Sequence, residues 1–513
     1  MSGAVLVSAP VVVPLLAAGA SALLAGFLVV QRILGIGVLA VVLIDSVLLL
    51  VRVDGLGTQS IQVGGWQPPL GITLVADRFS ALVLVVAVLV CLVVLVFAVG
   101  QGSAERRVED VPSVFHPTYL VLLAGIALVL ISGDLFTLFV GFEVMLMASY
   151  VLIILGATRD RVRAGLTYVV SSLTASILLL TTIGLVYAVT GTVNLAQLSA
   201  VTADLPPGTR GLLALLLLVA LGIKAAMVPL HWWLPDSYPT AAAPVTAIFA
   251  ALLTKVAVYA IIRTQTLLFP RQEPWTLLLV IAALTMLVGV LGALVQDDLN
   301  RILSFTLVSH VGFMLFGLAI FSVAGLAGAV LYLVHHITVQ TALFLVSGLI
   351  ERERQSVSLA RLGGLAATAP VVAALFLIPA FSLGGLPPFA GFVGKLALLQ
   401  AAVAQAGPAV LATAAVALLT SLLTLSALMR IWLRVFWSRS AAPVDAGGAT
   451  AAGSPGGRLP GRVMRFAALT AVLSGLAVAA TAGPLAALSQ RAAADLLDRD
   501  GYRGAVLGHR EVE

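Results

Sequence analysis

The chain has 513 residues, of which 61% are hydrophobic and only 10% are charged, and its mean hydropathy is +1.14. Soluble domains carry about 25% charged residues, so this composition excludes a soluble protein. The formal net charge of +6 does not indicate nucleic-acid binding, because the arginines gather in loops between apolar segments. The single cysteine, Cys91, excludes an intrachain disulfide and a cysteine metal site.

Fourteen apolar runs are long enough to cross a hydrocarbon core about 30 Å thick. We therefore predict an all-α polytopic membrane protein. The first run has no basic region before it, so we expect it to be a retained span and not a cleaved signal. The predicted spans are 8–28, 33–52, 77–99, 115–132, 134–155, 163–188, 211–233, 240–263, 275–295, 300–321, 324–349, 370–404, 408–437 and 463–484.

Arginines cluster in the loops that follow odd-numbered spans, whereas the loops after even-numbered spans hold few. The positive-inside rule places arginine-rich loops in the cytoplasm, so both termini are predicted to be extracytoplasmic. We expect the protein in a bacterial cell membrane, in contact with lipid. The clustered residues are Arg32, Arg106, Arg107, Arg159, Arg161, Arg163, Arg301, Arg352, Arg354, Arg361, Arg439, Arg458 and Arg462.

Two segments carry little chemistry. Residues 438–462 are rich in Gly, Ala and Pro and are predicted to be a flexible cytoplasmic loop. Residues 485–513 are predicted to be a polar tail with at most a short surface helix. The chain has no Walker loop, no dinucleotide fingerprint and no soluble domain, so no site for ATP, NADH or another cofactor is expected.

The chain contains only three lysines, Lys224, Lys255 and Lys395, and all three lie inside predicted spans. Arginine stays protonated in proteins, whereas a buried lysine can release its proton. A genome that favours arginine explains why surface lysines are missing, but not why the remaining ones are intramembrane. Titratable cations in the bilayer core indicate proton movement.

Two of these lysines lie in spans that glycine and proline interrupt. Span 7 has Pro229 after Lys224, and span 12 has Gly384, Gly385, Pro387 and Pro388 before Lys395. Proline removes a helix hydrogen bond, and broken helices in lipid need protein or a wet cavity around them. Two broken spans, five apart, indicate two repeats around an ion pathway, although glycine and proline are common in membrane helices generally.

The remaining candidates lie in spans 5, 10 and 11. Glu143 is near the middle of span 5, and a lysine close to it would keep both groups charged. A change in their separation would then switch the lysine between holding and releasing a proton; the alternative is a static ion pair that fixes packing. His335 and His336 in span 11 are candidates for a proton relay, whereas the roles of His310, Asp45 and Asp77 stay open.

Five stretches together resemble the proton-translocating antiporter family, which includes membrane-arm subunits of respiratory complex I and the A and D subunits of Mrp-type cation/proton antiporters. The resemblance covers about residues 65–440 and implies a fourteen-helix core with inverted repeats at spans 4–8 and 9–13. The stretches are GWQPPLGITLVADRFSALVL, SGDLFTLFVGFEVMLMASYVLI, LGIKAAMVPLHWWLPDSYPTAAAPVTAIFAALLTKVAVYAIIR, DDLNRILSFTLVSHVGFMLFGL and GLPPFAGFVGKLALL.

The resemblance assigns a role to each candidate. Glu143 matches the span 5 glutamate and Lys224 the span 7 lysine that pairs with it. Lys255 matches the span 8 relay lysine, Lys395 the span 12 lysine at the exit side, and the two histidines the span 11 histidine region. One position departs from the family pattern: many relatives have a lysine one turn after the histidines, where this chain has Gln340.

Among the subfamilies, the chain looks most like the Mrp D subunit. The resemblance implies a proton-translocating subunit of a multi-subunit antiporter that exchanges protons for a monovalent cation, with Na+ the expected one and the other subunits of that complex as partners. The alternative is a membrane-arm proton-pumping subunit of complex I. The predicted divisions are 1–114 for spans 1–3, 115–263 and 275–437 for the two repeats, 438–462 for the loop, 463–484 for span 14 and 485–513 for the tail.

Overall fold

The computed structural model describes residues 3–102, 105, 114–155, 159–438 and 458–508. Within these ranges, twelve helices are long and apolar enough to cross a membrane. One shorter apolar helix is Phe115–Ile131, and two more, Pro370–Gly384 and Ala390–Gln405, are the two halves of one further span. The described chain therefore holds the fourteen predicted spans.

The helices of the first half are α1 Gly3–Leu23, α2 Leu28–Leu56, α3 Arg78–Gln101, α4 Phe115–Ile131, α5 Leu135–Ile154, α6 Arg159–Thr190, α7 Leu195–Asp204, α8 Pro207–Ala225, α9 Leu234–Ser237, α10 Ala243–Ile248 and α11 Thr254–Leu267. Those of the second half are α12 Thr276–Val295, α13 Leu299–Ile320, α14 Val323–Arg354, α15 Leu365–Thr368, α16 Pro370–Gly384, α17 Ala390–Gln405, α18 Pro408–Trp432, α19 Arg458–Ala480, α20 Ala482–Leu497 and α21 Arg499–Leu507. A π-helical turn, Phe249–Leu253, joins α10 to α11.

Helix α14 is the centre of the structure, because every side chain from Gly325 to Ile350 is buried. Helices α11 and α13 are also buried nearly throughout. The peripheral helices α1, α2, α6 and α18 instead leave large apolar side chains exposed, such as Ile44, Ile177 and Leu422. An apolar outer surface around a polar-containing centre is the arrangement that a lipid environment requires.

Both predicted interruptions are present. Helix α8 ends at Ala225, and Ala226 adopts a left-handed conformation with φ of 57° ahead of a series of turns. Helix α16 ends at Gly384, where Gly385 has a φ of 87° that glycine adopts without a steric penalty. Span 7 therefore ends as a helix well before the predicted residue 233. The π-helical turn in span 8, immediately before Lys255, was not predicted; such turns occur frequently at functional sites.

Corresponding spans begin with the same local geometry. Asp134 caps α5 and forms an isolated antiparallel bridge with Asn194, and Asp298 caps α13 and forms one with Ser358. In each case the bridging loop follows the next long helix of the chain. On this basis we propose that α5, α6 and α8 correspond to α13, α14 and the α16–α17 pair, which matches the repeats at 115–263 and 275–437.

Three parts of the chain differ from the sequence prediction. Strands β1 Gln59–Gln62 and β2 Thr73–Ala76 pair antiparallel, with Gln59 opposite Ala76, so the otherwise all-α fold contains one hairpin. The predicted polar tail is instead helical as α20 and α21, because Ala492, Leu496 and Val506 supply apolar faces that pack inside. Most of the predicted loop, residues 439–457, lies outside the described residues, but its last residues begin α19.

Candidate functional site

Glu143 and Lys224 come together inside the membrane, as the sequence predicts. Lys224 lies in the last turn of α8, where the helix dipole favours a cation. Its Nζ is 3.9 Å from Glu143 Oε1 on α5, and their side chains are 4% and 22% exposed. Ser176 on α6 lies between them: its hydroxyl donates to Glu143 Oε1 and accepts a bond of 2.8 Å from Lys224 Nζ.

Lys255 has a different environment. It is completely buried, and its Nζ donates to the carbonyl oxygen of Ala250 at 2.5 Å. Ala250 belongs to the π-helical turn that precedes α11. Among the described residues, no acidic side chain forms an ion pair with Lys255. A cation held only by a neutral carbonyl is more easily discharged than one held by a carboxylate.

Lys395 lies against the break between α16 and α17. Its Nζ donates to the carbonyl oxygens of Leu383 at 2.8 Å and Gly384 at 3.2 Å, which are at the C-terminal end of α16. The last carbonyls of a helix have no partner within it, so the interrupted span supplies acceptors for the lysine. The ammonium group also lies 5.1 Å from the centre of the Phe313 ring.

The histidines form a buried aromatic cluster between α13 and α14. His310 and His336 stack with ring centres 5.3 Å apart, and His310 Nδ1 is hydrogen-bonded to the Tyr332 hydroxyl. The Tyr332 ring in turn lies 5.4 Å from the His335 ring. Within the described part of the chain, no protein group bonds either ring nitrogen of His335 or His336. Both imidazoles are also completely buried.

The histidine cluster reaches the broken span through His335. A Cβ atom added to Gly391, in the first turn of α17, would lie 1.8 Å from Ser382 O and 2.9 Å from His335 Nε2. Glycine at this position therefore permits both the close packing of the two half-helices and the approach of the imidazole. Lys395 follows Gly391 by one helical turn, which places the histidine cluster next to this lysine.

The structure also fixes the positions of residues that the sequence left open. His310 joins the histidine cluster, and Asp77 pairs at 2.5 Å with Arg263, which lies two turns beyond Lys255 on α11. Asp45 is buried in α2, and neither carboxylate oxygen has a hydrogen-bond partner in the described chain. Neither aspartate bonds one of the predicted relay residues, which are Glu143, Lys224, Lys255, His335, His336 and Lys395. Among these three open residues, only His310 therefore extends the predicted site.

Sequence reasoning missed Ser176 and Tyr332. Nothing in the local sequence distinguishes Ser176 from the serine and threonine hydroxyl groups that bond their own helix backbone. A weak signal existed for Tyr332, which precedes His336 by one turn and so shares its helix face. Across the described residues, no group of three or more His, Cys, Asp or Glu side chains is arranged to hold a metal ion.

Gln340 follows His336 by one turn, and its Nε2 donates to the Leu303 carbonyl oxygen at 2.9 Å. This amide tethers α14 to α13 but cannot titrate. We expect Gln340→Ala to lower proton transport by no more than about fivefold, since it removes one neutral hydrogen bond of about 1 kcal/mol. Gln340→Lys should be tolerated, because a lysine in a wet relay can stay neutral or find a counter-charge.

The measurement for Gln340 is the pH profile of cation-dependent proton flux in everted membrane vesicles. Ser347→Ala is the matched control, since Ser347 forms a similar bond between the same two helices, to Asn300. A loss of flux in Gln340→Ala as large as that of a relay lysine variant would contradict a merely tethering role.

These features together define a polytopic membrane protein with buried titratable side chains on interrupted helices. The chain belongs to the NADH:quinone oxidoreductase/Mrp antiporter transmembrane family, whose model matches residues 132–424. This confirms the family that the sequence motifs indicate.

Curated relatives and solved structures agree with this assignment. The chain is 42% identical to the D subunit of the Na(+)/H(+) antiporter of Alkalihalophilus pseudofirmus, over 84% of this chain and 87% of the relative. It is 36% identical to the protein of the same name from Bacillus subtilis, over 83% and 86% of the two chains. A chain in the structure of the Mrp complex from Dietzia sp. DQ12-45-1b superposes with a TM-score of 0.90 and 36% identity, covering 99% of both chains.

A chain of respiratory complex I from Thermus thermophilus superposes with a TM-score of 0.78 at 24% identity, over 96% of this chain and 99% of that chain. At this identity the likeness concerns the fold alone. The predicted similarity to the Mrp D subunit is confirmed by the relatives that carry that name.

Proposed function

We propose that this protein is the proton-translocating subunit of a multi-subunit Na+/H+ antiporter in a bacterial cell membrane. The observation that carries the proposal is the Glu143–Ser176–Lys224 contact, an acid and a base held together in the membrane interior by a protein of this family. The names of the relatives supply the exchanged cation and the multi-subunit setting. The other subunits of such a complex are the proposed partners.

Glu143 and Lys224 act as a switch in this proposal. While the carboxylate is close, its charge favours the protonated lysine; when the distance grows, burial favours the neutral amine. At about 4 Å and an effective dielectric constant of about 20, the attraction is about 4 kcal/mol, which changes a proton affinity by about three orders of magnitude. Doubling the separation halves this attraction, so a movement of α5 or α8 by a few ångströms changes the proton affinity by more than about tenfold.

In this proposal Lys255, the histidine cluster and Lys395 then pass the proton along the membrane. Lys255 is the central carrier, because a neutral carbonyl holds its ammonium group. The histidine cluster provides imidazoles for the next steps. Within the described chain no protein group hydrogen-bonds the ring nitrogens of His335 and His336, or Nε2 of His310. Lys395 is the terminal donor or acceptor at the helix break. In this proposal the arginine-rich loops face the cytoplasm and both termini are extracytoplasmic, as the positive-inside rule predicts.

The complex I alternative shares this row of residues but takes its energy from quinone chemistry. Proton movement would then follow NADH oxidation and would not require sodium. Vesicles that contain the whole complex separate the two: addition of Na+ should release protons in the absence of any electron donor. Co-purification in mild detergent should recover the chain with the other antiporter subunits.

The test of the relay itself is Lys255→Arg. Arginine keeps the charge and loses the titration, so we expect sodium-dependent proton flux to fall by at least about tenfold, or about 1.4 kcal/mol in an effective barrier. Initial rates in everted vesicles, normalised to the amount of assembled complex, are the measurement.

Thr254→Val is the matched control for Lys255→Arg. It alters the neighbouring, equally buried residue of the same helix and removes only a hydroxyl group. Normal flux in Lys255→Arg would exclude Lys255 as a proton carrier, and the relay as proposed would fail at its centre.

A further inference from the structure

The Ser176 hydroxyl contacts both the lysine and the glutamate of the proposed switch. Lys224 Nζ is 3.9 Å from Glu143 Oε1, whereas Nζ lies 2.8 Å from Ser176 Oγ. The serine hydroxyl completes the chain by donating to Glu143 Oε1. Proton transfer needs heavy atoms within about 2.6–3.2 Å, so the direct route is too long and the route through the serine is short enough.

The side chain of Ser176 behaves differently from most of the serine and threonine hydroxyl groups of α6. Serine and threonine inside a helix commonly donate to the carbonyl four residues earlier. Ser176 is 4% exposed and instead donates across to α5. The α6 residues that do bond the carbonyl four positions earlier are Thr167, Ser171, Thr174, Thr181, Thr182 and Thr190.

We propose that Ser176 is the proton bridge between Lys224 and Glu143, an inference that rests on the proposed function. In the transfer step, an N–H bond of the Lys224 ammonium breaks and a new O–H bond forms on Ser176 Oγ. The original O–H bond of Ser176 breaks, and that proton bonds to Glu143 Oε1. The products are a neutral amine, a neutral carboxylic acid and an unchanged serine, and the reverse step restores the ion pair.

The same hydroxyl can open the bridge without any movement of the backbone. Rotation about the Cα–Cβ bond of Ser176 directs the hydroxyl to the carbonyl of Ser172, the acceptor that its position in the helix provides. In that rotamer the proton chain is broken, while Glu143 and Lys224 still attract each other at 3.9 Å. Ser176 therefore determines when the proton crosses, and the ion pair determines where it is held.

Three variants test the bridge in vesicles that contain the complete antiporter complex. Ser176→Ala removes the hydroxyl, and we expect it to lower sodium-dependent proton flux at least tenfold and to change the pH profile and the solvent deuterium isotope effect. Ser176→Thr keeps the hydroxyl and should restore most of the flux. Thr182→Ala is the matched control: Thr182 is equally buried on α6 but bonds only Leu178 O, so flux should match the parent protein.

Glu143→Gln in the same vesicles separates failure of the bridge from failure of the proposed function. If Glu143→Gln is inactive while Ser176→Ala matches the parent in rate, pH profile and isotope effect, the bridge is wrong and the switch stands. If both variants transport normally, the proposed function fails as well. Should Ser176→Ala not assemble, Ser176→Gly replaces it: glycine also lacks a side-chain hydroxyl, so parental flux with glycine would overturn the bridge.

Discussion

Glu143→Ala is expected to abolish sodium-dependent proton transport while the protein still inserts and assembles. The substitution removes the only carboxylate that pairs with Lys224 among the described residues, so the lysine is left buried with the Ser176 hydroxyl as its remaining polar contact. Loss of an attraction of about 4 kcal/mol favours the neutral amine and prevents the switch from loading. Glu143→Asp keeps the charge on a shorter side chain and should retain part of the activity. Proton flux in everted vesicles at several pH values is the measurement.

Glu353→Ala is the matched control for this variant. Glu353 pairs at 2.9 Å with Arg465, and both side chains are substantially exposed. Exposed ion pairs contribute about 0–1 kcal/mol to stability, so this change should leave transport and assembly as in the parent. Full cation-driven flux in assembled Glu143→Ala complexes would eliminate the switch.

The paired change of His335 and His336 to alanine should be nearly as severe. The two imidazoles both lie beside the Tyr332 ring; one is stacked on His310 and the other lies against the start of α17. Gln340, one turn further, cannot replace them because an amide does not titrate. We expect at least a tenfold loss of flux together with a changed pH profile, because an imidazole can relay a proton and alanine cannot.

His116→Ala serves as the control for the histidine pair. His116 is a buried imidazole outside the cluster, and its Nε2 lies 2.7 Å from Glu105, which also bonds Arg32. The control removes the same chemical group without changing any of the proposed relay residues. An unchanged pH profile in the His335 and His336 double variant would show that protons bypass α14, and both histidines would then leave the site.

Some elements of the fold follow from the local sequence, and others do not. The spans follow from hydropathy alone, because a lipid environment demands about 20 apolar residues in each crossing helix. The breaks at Ala226 and Gly385 follow from proline and glycine, whose backbone preferences are local. The tail was predicted to hold a short surface helix, whereas α20 and α21 form two helices there, because amphipathic helices have low mean hydropathy and resemble polar tails.

In the candidate site, too, the sequence predicts some residues, and only the structure places the others. The intramembrane position of Glu143, Lys224, Lys255 and Lys395 is visible in the order of residues, since the cost of a charge in lipid makes each one conspicuous. The positions of Ser176 and Tyr332 are not visible, because their contacts cross from α6 to α5 and from α14 to α13. A serine hydroxyl inside a helix has an acceptor in its own backbone, so the sequence alone does not tell which serines bond a neighbouring helix instead.

The sequence by itself therefore determined the membrane class, the number of spans, the interrupted helices and the residues that can titrate. Each of these depends on the free energy of placing a side chain or a backbone group in lipid, which is a property of the local chain. Only the tertiary structure decided that the Ser176 hydroxyl bonds both Glu143 and Lys224. The same holds for the bond from Lys255 to the π-helical turn and for the stacking of His310 on His336. Those contacts depend on how helices distant in sequence pack together, and packing is set by the shapes of whole surfaces.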